Sequence, residues 1–185
     1  MNRATIRHGF TLVEVLVILA ILAALAAILV PTVSNQVRKA DMGQVTGDVT
    51  NLRTGVEAFL VNVHRYPASI EQLAFPITGT DTDINGSTYP SGLVSRWEGP
   101  YIDRSIVEGG TLETGFGALI QDTLTVTTES GVDYLTMRVT GLGEPEAEDL
   151  DAEIDGGDGN AAGRWRWFGT PPAVDSAHFL ALPIN

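Results

Sequence analysis

The sequence contains no cysteine in its 185 residues. This absence excludes disulfide bonds, thiol catalysis and zinc sites built on cysteine ligands. An exported domain without disulfides has to depend on its hydrophobic core or on a bound metal ion for stability.

Positive charge is also scarce. Eleven lysines and arginines stand against 23 aspartates and glutamates, which gives a formal net charge of −12. Nucleic-acid binding needs basic surface to displace counterions, so we expect no nucleic-acid partner. The length fits one domain plus a membrane-crossing helix.

Histidine is nearly absent, with only His8, His64 and His178 in the chain. The sequence has no nucleophile elbow, no phosphate-binding glycine loop and no pair of histidines at zinc spacing. We therefore expect no catalytic residues and no enzymatic activity.

The chain does contain one long apolar run. From Phe10 to Val30 every residue is apolar except Thr11 and Glu14. As a helix with a rise of about 1.5 Å per residue, the run is about 30 Å long, which is enough to cross a bilayer core. Arg3 and Arg7 precede it, and a basic segment before an apolar run predicts membrane insertion with a cytoplasmic N-terminus.

Glu14 is the exception within this run. A carboxylate at the centre of a membrane helix costs on the order of 3 kcal/mol, so it needs a partner or a task. One interpretation is a tolerated charge near the membrane edge. The other is that cleavage between Gly9 and Phe10 creates an α-amine, with a reference pKa of about 7.7 to 8.0, that pairs with Glu14 of a neighbouring subunit.

The segment R-H-G-F-T-L-V-E-V-L, residues 7–16, resembles the prepilin signature of type IV pilins and type II secretion pseudopilins. The resemblance implies that residues 1–9 are a leader, which a prepilin peptidase removes after Gly9. It also implies N-methylation of Phe10 and a role for Glu14 in assembly.

The same resemblance implies further partners and a location. The partners are copies of the chain and related pilins in a filament, the peptidase with its methylase activity, and an inner-membrane assembly platform. Before assembly the protein would cross the inner membrane once, with its head in the periplasm or outside. After assembly it would lie in a surface pilus or a periplasmic pseudopilus.

A conventional secretory signal is the alternative to this signature. It too has a basic head and an apolar run, and Ala24-Leu25-Ala26 resembles a small-residue cleavage site. Glu14 and the helical pattern that continues beyond Ala27 argue against it.

Residues 10 to about 64 are predicted to form one helix, with a membrane or filament-core half at residues 10–30. Its second half belongs to a globular head over residues 31–185. Pro31 is expected to kink the helix or melt it locally. From Val45 onward apolar residues recur at steps of three and four, and Asp48 and Glu57 are placed on the solvated face. The motif Ser69-Ile70-Glu71-Gln72 then predicts a capping box that opens a short helix.

The C-terminal half of the chain is predicted to form β-strands. A strand is expected over residues 115–120, and a hairpin joins residues 123–128 to residues 132–140, with Leu135, Met137 and Val139 facing inward. Two further strands are expected at residues 164–168 and 177–182. The predicted fold class is α+β and pilin-like, with a long N-terminal helix packed on a small antiparallel sheet.

Residues 76–111 are expected to form a long loop. Within it, W-E-G-P-Y, residues 97–101, resembles a stretch of major pseudopilins. We interpret Trp97 and Tyr101 as anchors that hold the loop on the head.

Residues 144–158 hold eight acids and no base and are expected to form an acidic loop. The loop is either simply solvated or a calcium site, since the alternation of Asp151, Glu153 and Asp155 before Gly156 is typical of the first half of an EF-hand loop. Asp158 completes the candidate ligand set. The missing acid at position 162 argues against a true EF-hand, while the resemblance to major pseudopilins implies calcium in the head.

A second resemblance favours pili over pseudopili. The run of residues 150–157 followed by Gly163-Arg164 is similar to a stretch near the C-terminus of several type IV pilins. The sequence therefore predicts a structural subunit of a type IV pilus-like filament for surface motility or adhesion. The alternative is a type II secretion pseudopilin that drives protein export, and a remote one is a soluble secreted binding domain.

Overall fold

The computed structural model describes residues 11–106 and 110–184. The chain divides into two compact units, residues 1–39 and residues 40–185. Helix α1 runs over Leu12–Val63 and stays helical through Pro31, so of the kink or local melting expected there, the melting does not occur. The predicted long helix is confirmed, although Phe10 lies outside the described residues.

An antiparallel sheet follows the helix, as predicted for an α+β pilin-like fold. Its strands run in the order β1-β2-β4-β6-β5, and β3 pairs with β4 on the β2 side. The elements after α1 are α2 Glu71–Ala74, α3 Ser91–Val94, β1 Leu112–Glu113, β2 Leu119–Ile120, β3 Thr125–Glu129, β4 Val132–Thr140, α4 Glu144–Ile154, β5 Trp165–Phe168 and β6 Ser176–Ile184.

The stripe of α1 that faces the sheet forms the core with the inward side chains of β4 and β6. Its fully buried members include Val45, Val49, Val56 and Phe59, as the spacing predicted. Gly55 belongs to the same stripe, and a Cβ there would lie 2.8 Å from Ile102 Cγ2.

Asp48 was wrongly assigned to the solvated face of α1. It is 5% exposed, and its Oδ2 accepts hydrogen bonds from Arg104 Nη2 (3.0 Å) and from Thr114 Oγ1 (2.7 Å). Arg104 also donates to the carbonyl oxygen of Glu113 (2.8 Å). Asp48 therefore ties α1 to the segments on either side of β1.

The hairpin of β3 and β4 is confirmed. Ser130 and Gly131 form its turn with φ values of 51° and 81°, the left-handed pair that matches the twist of a two-residue hairpin. Leu135, Met137 and Val139 are fully buried, as predicted.

The expected strand over residues 115–120 is only partly right. Residues 115–117 form a 3-10 turn, and the strand β2 is confined to Leu119–Ile120. Gly115 allows this turn to lie against α1, because a Cβ at this position would lie 2.0 Å from the carbonyl oxygen of Asp41.

The acidic segment begins with a helix rather than a loop. Glu144–Ile154 is α4, with Pro145 and the acids Glu144 and Glu146 in its first turn, where a proline and negative charge are favoured. Ala147 and Leu150 are buried, and this apolar side outweighs the repulsion among the acids.

The capping box before α2 is also wrong in detail. The N-cap is Ile70 rather than Ser69, and the backbone N–H of Glu71 donates to Asp122 Oδ1 (3.0 Å). The loop anchor is present as expected, since Trp97 Nε1 donates to the carbonyl oxygen of Gln72 (2.9 Å) and its ring meets that of Tyr101 edge to face.

Candidate functional sites

The first candidate site is the apolar start of α1. It is long and apolar enough to span a membrane, and none of its most apolar 18-residue window is buried within the protein. Leu12 is 79% exposed and Val30 is 63% exposed. Contiguous apolar surface of this extent requires lipid or other protein chains as neighbours.

Glu14 lies in the first turn of α1. Its backbone N–H donates to Thr11 Oγ1 (3.2 Å), the hydrogen bond that an N-cap threonine makes to the third helical residue. The run Thr11-Leu12-Val13-Glu14 has the sequence pattern of a capping box, and the structure shows the hydrogen bond made by its N-cap threonine. The sequence reasoning missed this readable motif. The side chain of Glu14 is exposed, as a partner outside this chain would require.

The structure does not describe the processing residues that the signature predicts. Gly9 and Phe10 lie outside the described residues, so cleavage after Gly9 and methylation of Phe10 stay predictions.

The second candidate site is a cluster of carboxylates at the end of α4. Asp151, Asp155 and Asp158 each offer an oxygen, and the three oxygens lie within 4.8 Å of one another. Ligand atoms about 2.4 Å from one calcium ion lie at most about 4.8 Å apart, so the spacing fits a shared cation.

Backbone groups hold this cluster in shape. Asp155 Oδ2 accepts hydrogen bonds from the backbone N–H of Arg164 (2.8 Å) and of Trp165 (2.6 Å), which joins the end of α4 to the start of β5. Gly163 allows the close approach, because a Cβ there would lie 2.6 Å from Asp155 Oδ2 and its φ is +67°.

Asp151 supplies the strongest indication of a ligand. Its side chain is 3% exposed, and Oδ2 accepts a hydrogen bond from the backbone N–H of Gly159 (2.9 Å), but the buried Oδ1 has no hydrogen-bond partner among the residues that the structure describes. A buried carboxylate oxygen without a donor is costly unless a cation satisfies it.

The electrostatics of the cluster also indicate a bound cation. Desolvation, followed by the negative charges of Asp151 and Asp155, raises the pKa of Asp158. The three hard oxygen donors therefore fit calcium, and a divalent cation would relieve the repulsion among them.

Glu153 is not brought into this cluster. It is exposed and lines a different pocket, with Arg53 and Arg164. The physical reason is helical geometry, since residues two apart on an α-helix point to opposite sides, and the alternating ligand pattern holds only for an extended loop.

Comparisons with known proteins bear on the first candidate site and on the family of the chain. A family model described as the prokaryotic N-terminal methylation motif matches residues 5–30. Type II secretion system core protein G of Klebsiella michiganensis is 30% identical over 101 residues, which cover 51% of this chain and 71% of that protein. The protein of the same name from Aeromonas hydrophila is 33% identical over 96 residues, covering 52% of this chain and 62% of that protein.

A third relative, type II secretion system core protein G of Klebsiella pneumoniae, is 29% identical over 86 residues. The chain covers 61% of that protein's length, which is less than two thirds. No solved structure matches the chain.

The methylation motif, the long apolar helix, the antiparallel head and these relatives agree with one another. The chain belongs to the family of type IV pilins and type II secretion pseudopilins.

Proposed function

We propose that this chain is a pseudopilin, a structural subunit that polymerises into the filament of a type II secretion system. The observation that carries the proposal is its similarity to type II secretion system core protein G in several bacteria. These relatives favour the export alternative over the pilus subunit that the sequence alone put first. The pilus interpretation has support only at the level of the family.

The mechanism is assembly rather than catalysis. The peptidase cleaves after Gly9 and frees the amine of Phe10, which is then methylated. Glu14 of an incoming subunit pairs with that amine on its neighbour and sets the register of the two helices. The exposed apolar side chains of residues 12–30 leave the lipid and pack against the same segments of neighbouring subunits.

The energetic cost of the Glu14 charge in the membrane and in the filament supports this order of events. In the membrane, Glu14 lies in the first turn of the helix, where the helix dipole lowers the cost of its charge. In the filament, the positive amine replaces water as the partner of its carboxylate.

Deletion of the gene in its own bacterium tests the proposal. We expect loss of protein export into the medium, rescued by the wild-type chain, with surface pili unchanged. Normal export combined with loss of surface pili or of twitching motility would refute the pseudopilin assignment in favour of a type IV pilus subunit.

We further propose that the head binds calcium through Asp151, Asp155 and Asp158. The unpartnered buried Oδ1 of Asp151 is the observation behind this proposal. The ion would join the end of α4 to the segment leading into β5. Its role is structural. The ion would link two segments of the head in the way a disulfide bond does, and a chain without cysteine cannot form such a bond.

A further inference from the structure

We propose that a small pocket between α1, the end of α4 and β6 binds a carboxylate group through Arg53 and Arg164. Two sources offer this chemistry, a free small carboxylate and an acidic side chain of another polypeptide. The proposal concerns the head alone and its test needs no filament, so it can fail while the proposed function stands.

The size of the pocket limits its ligand. Its volume is about 190 Å³, whereas pockets for drug-sized ligands measure roughly 300 to 1,000 Å³. A nucleotide or an oligosaccharide is therefore too large, and a group of a few heavy atoms fits. Val49 of α1, Ile154 of α4 and Phe179 of β6 form the apolar part of its wall.

Arg164 is held in a fixed position in this wall. Its Nε and Nη2 donate to the carbonyl oxygens of Leu180 (3.3 Å) and Ala181 (3.2 Å), and its Cζ lies 5.0 Å from the centre of the Phe179 ring. Its Nη1 donates to no residue that the structure describes. A donor that is already positioned loses little conformational freedom when it binds an acceptor.

Arg53 lines the same pocket with a second guanidinium group. Its Nε donates to Glu57 Oε1 (3.1 Å), which leaves Nη1 and Nη2 without a partner in the described part of the chain. Burial, and then the positive charge of Arg53, lowers the pKa of Arg164. The two cations therefore repel each other, and an anion between them would relieve the repulsion.

Thr46 lines the pocket and carries a further unused donor. Its Oγ1 is buried and has no partner among the described residues, whereas Thr54 on the same helix donates its Oγ1 to the carbonyl oxygen of Thr50 (3.0 Å). A threonine in a helix has two favoured χ1 rotamers. In the proposed complex Thr46 rotates about χ1 and donates to the bound carboxylate.

The charges of the pocket favour a carboxylate over a phosphate group. Guanidinium groups bind both anions in a bidentate manner. The lining carries the positive charges of Arg53 and Arg164 and the negative charge of Glu153, which is exposed and forms no ion pair with a described residue. A singly charged carboxylate balances this sum, whereas a phosphate group carries a charge of about −1.5 to −2.

Titration of the full chain in detergent micelles tests the pocket. The probes are sodium acetate and a tripeptide with blocked termini and one central glutamate, with sodium chloride keeping the ionic strength constant. We expect the Nε–H and backbone NMR signals of Arg164 to shift and to saturate at millimolar probe. Sodium chloride alone should not move them in a saturable way.

The two probes distinguish the two sources. If the natural ligand is an acidic side chain, the tripeptide should saturate the Arg164 signals at the same concentration as acetate or below it. If it is a free small carboxylate, acetate alone should bind. Absence of a saturable shift with both probes would overturn the proposal.

Arginine variants provide a matched comparison. Arg53→Gln should weaken binding at least about tenfold, because hydrogen bonds to a charged group are lost. Arg96→Gln removes the same charge from an exposed position outside the pocket and should bind like the wild type. Glu57→Gln should bind at least as tightly as the wild type, since it frees the Nε of Arg53. Equal affinities for Arg53→Gln and Arg96→Gln would contradict the assignment.

Discussion

At the scale of single residues, Glu14 combines two roles that substitutions separate. Its backbone N–H completes the cap made by Thr11, and any residue at position 14 can supply that group. Its carboxylate is the group proposed to pair with the amine of Phe10. Membrane insertion should therefore depend little on the side chain, while assembly should depend on it strongly.

We expect Glu14→Ala to insert and to be cleaved after Gly9 as usual, but to lower the filament fraction at least tenfold. The reason is that the amine of the neighbouring subunit would lose its counter-charge in the apolar filament core. The size of the membrane-bound chain and the amount in the sheared filament fraction measure the two steps. Glu153→Ala is the control, and normal filament yield for Glu14→Ala would rule out the pairing.

Asp158 tests the calcium proposal. We expect the wild-type chain in detergent to bind calcium in calorimetry at millimolar metal, and Asp158→Asn to bind at least tenfold more weakly because one ligand charge is lost. Glu153→Gln should bind like wild type, since the structure places Glu153 outside the cluster. No heat of binding for the wild type would remove calcium from the account.

Asp48 and Glu153 show where sequence reasoning fails. The periodicity of apolar residues in α1 and β4 correctly predicted their buried sides, because it depends only on local geometry. Asp48 interrupts that pattern, and its burial depends on Arg104 and Thr114, which are 56 and 66 residues away in sequence. Glu153 was misplaced because the acids hid the helical spacing of Ala147, Leu150 and Ile154.

At the scale of secondary-structure elements, the head is held together by polar contacts between α1, the loops and the sheet. Asp48 joins α1 to the segments around β1, and Asp155 joins α4 to β5. Their loss should reduce stability without changing the fold.

We expect Asp48→Asn to lower the free energy of unfolding by about 2 kcal/mol, because hydrogen bonds to a charged group are lost beneath a partly exposed arginine. Urea unfolding of the full chain in detergent measures this. Glu57→Gln, which breaks an exposed pair on the same helix (3.1 Å to Arg53), should cost less than about 0.5 kcal/mol. Equal losses of unfolding free energy for Asp48→Asn and Glu57→Gln would show that the buried hydrogen bonds of Asp48 contribute no more than an exposed ion pair.

His178 on β6 should make stability depend on pH. Burial, and then the charge of Arg138, lowers its pKa below the usual 6.5. Arg166 lies beside it on β5, Ser176 contacts its Nε2 (3.3 Å) and the ring of Phe168 packs against it. The folded state therefore binds this proton less readily than the unfolded chain, so stability falls as pH decreases from about 6.5 toward the folded pKa.

The His178→Gln variant isolates this contribution. Between pH 7.5 and 5.5 the wild type should lose more stability than His178→Gln, by at most about 1.4 kcal/mol per pH unit for one proton. Unfolding free energies at the two pH values give the comparison. The same loss in both proteins would show that His178 does not carry the effect.

At the scale of the whole molecule, the chain combines one helix with an apolar first half and a head with net negative charge. The sequence predicted the α+β class, the long helix and the family, since these depend on hydrophobic pattern and on a short specific signature. It ranked the pilus above the pseudopilus because the loop of residues 150–164 resembles type IV pilins, although residues 97–101 resemble major pseudopilins. The curated relatives favour export.

The central claim is that this chain is processed and enters a filament. The measurement that tests it most directly is the intact mass and N-terminal sequence of the protein recovered from native membranes. The account predicts a chain that begins at N-methylated Phe10. A chain that begins near Ala27, or one that still carries residues 1–9, would contradict it.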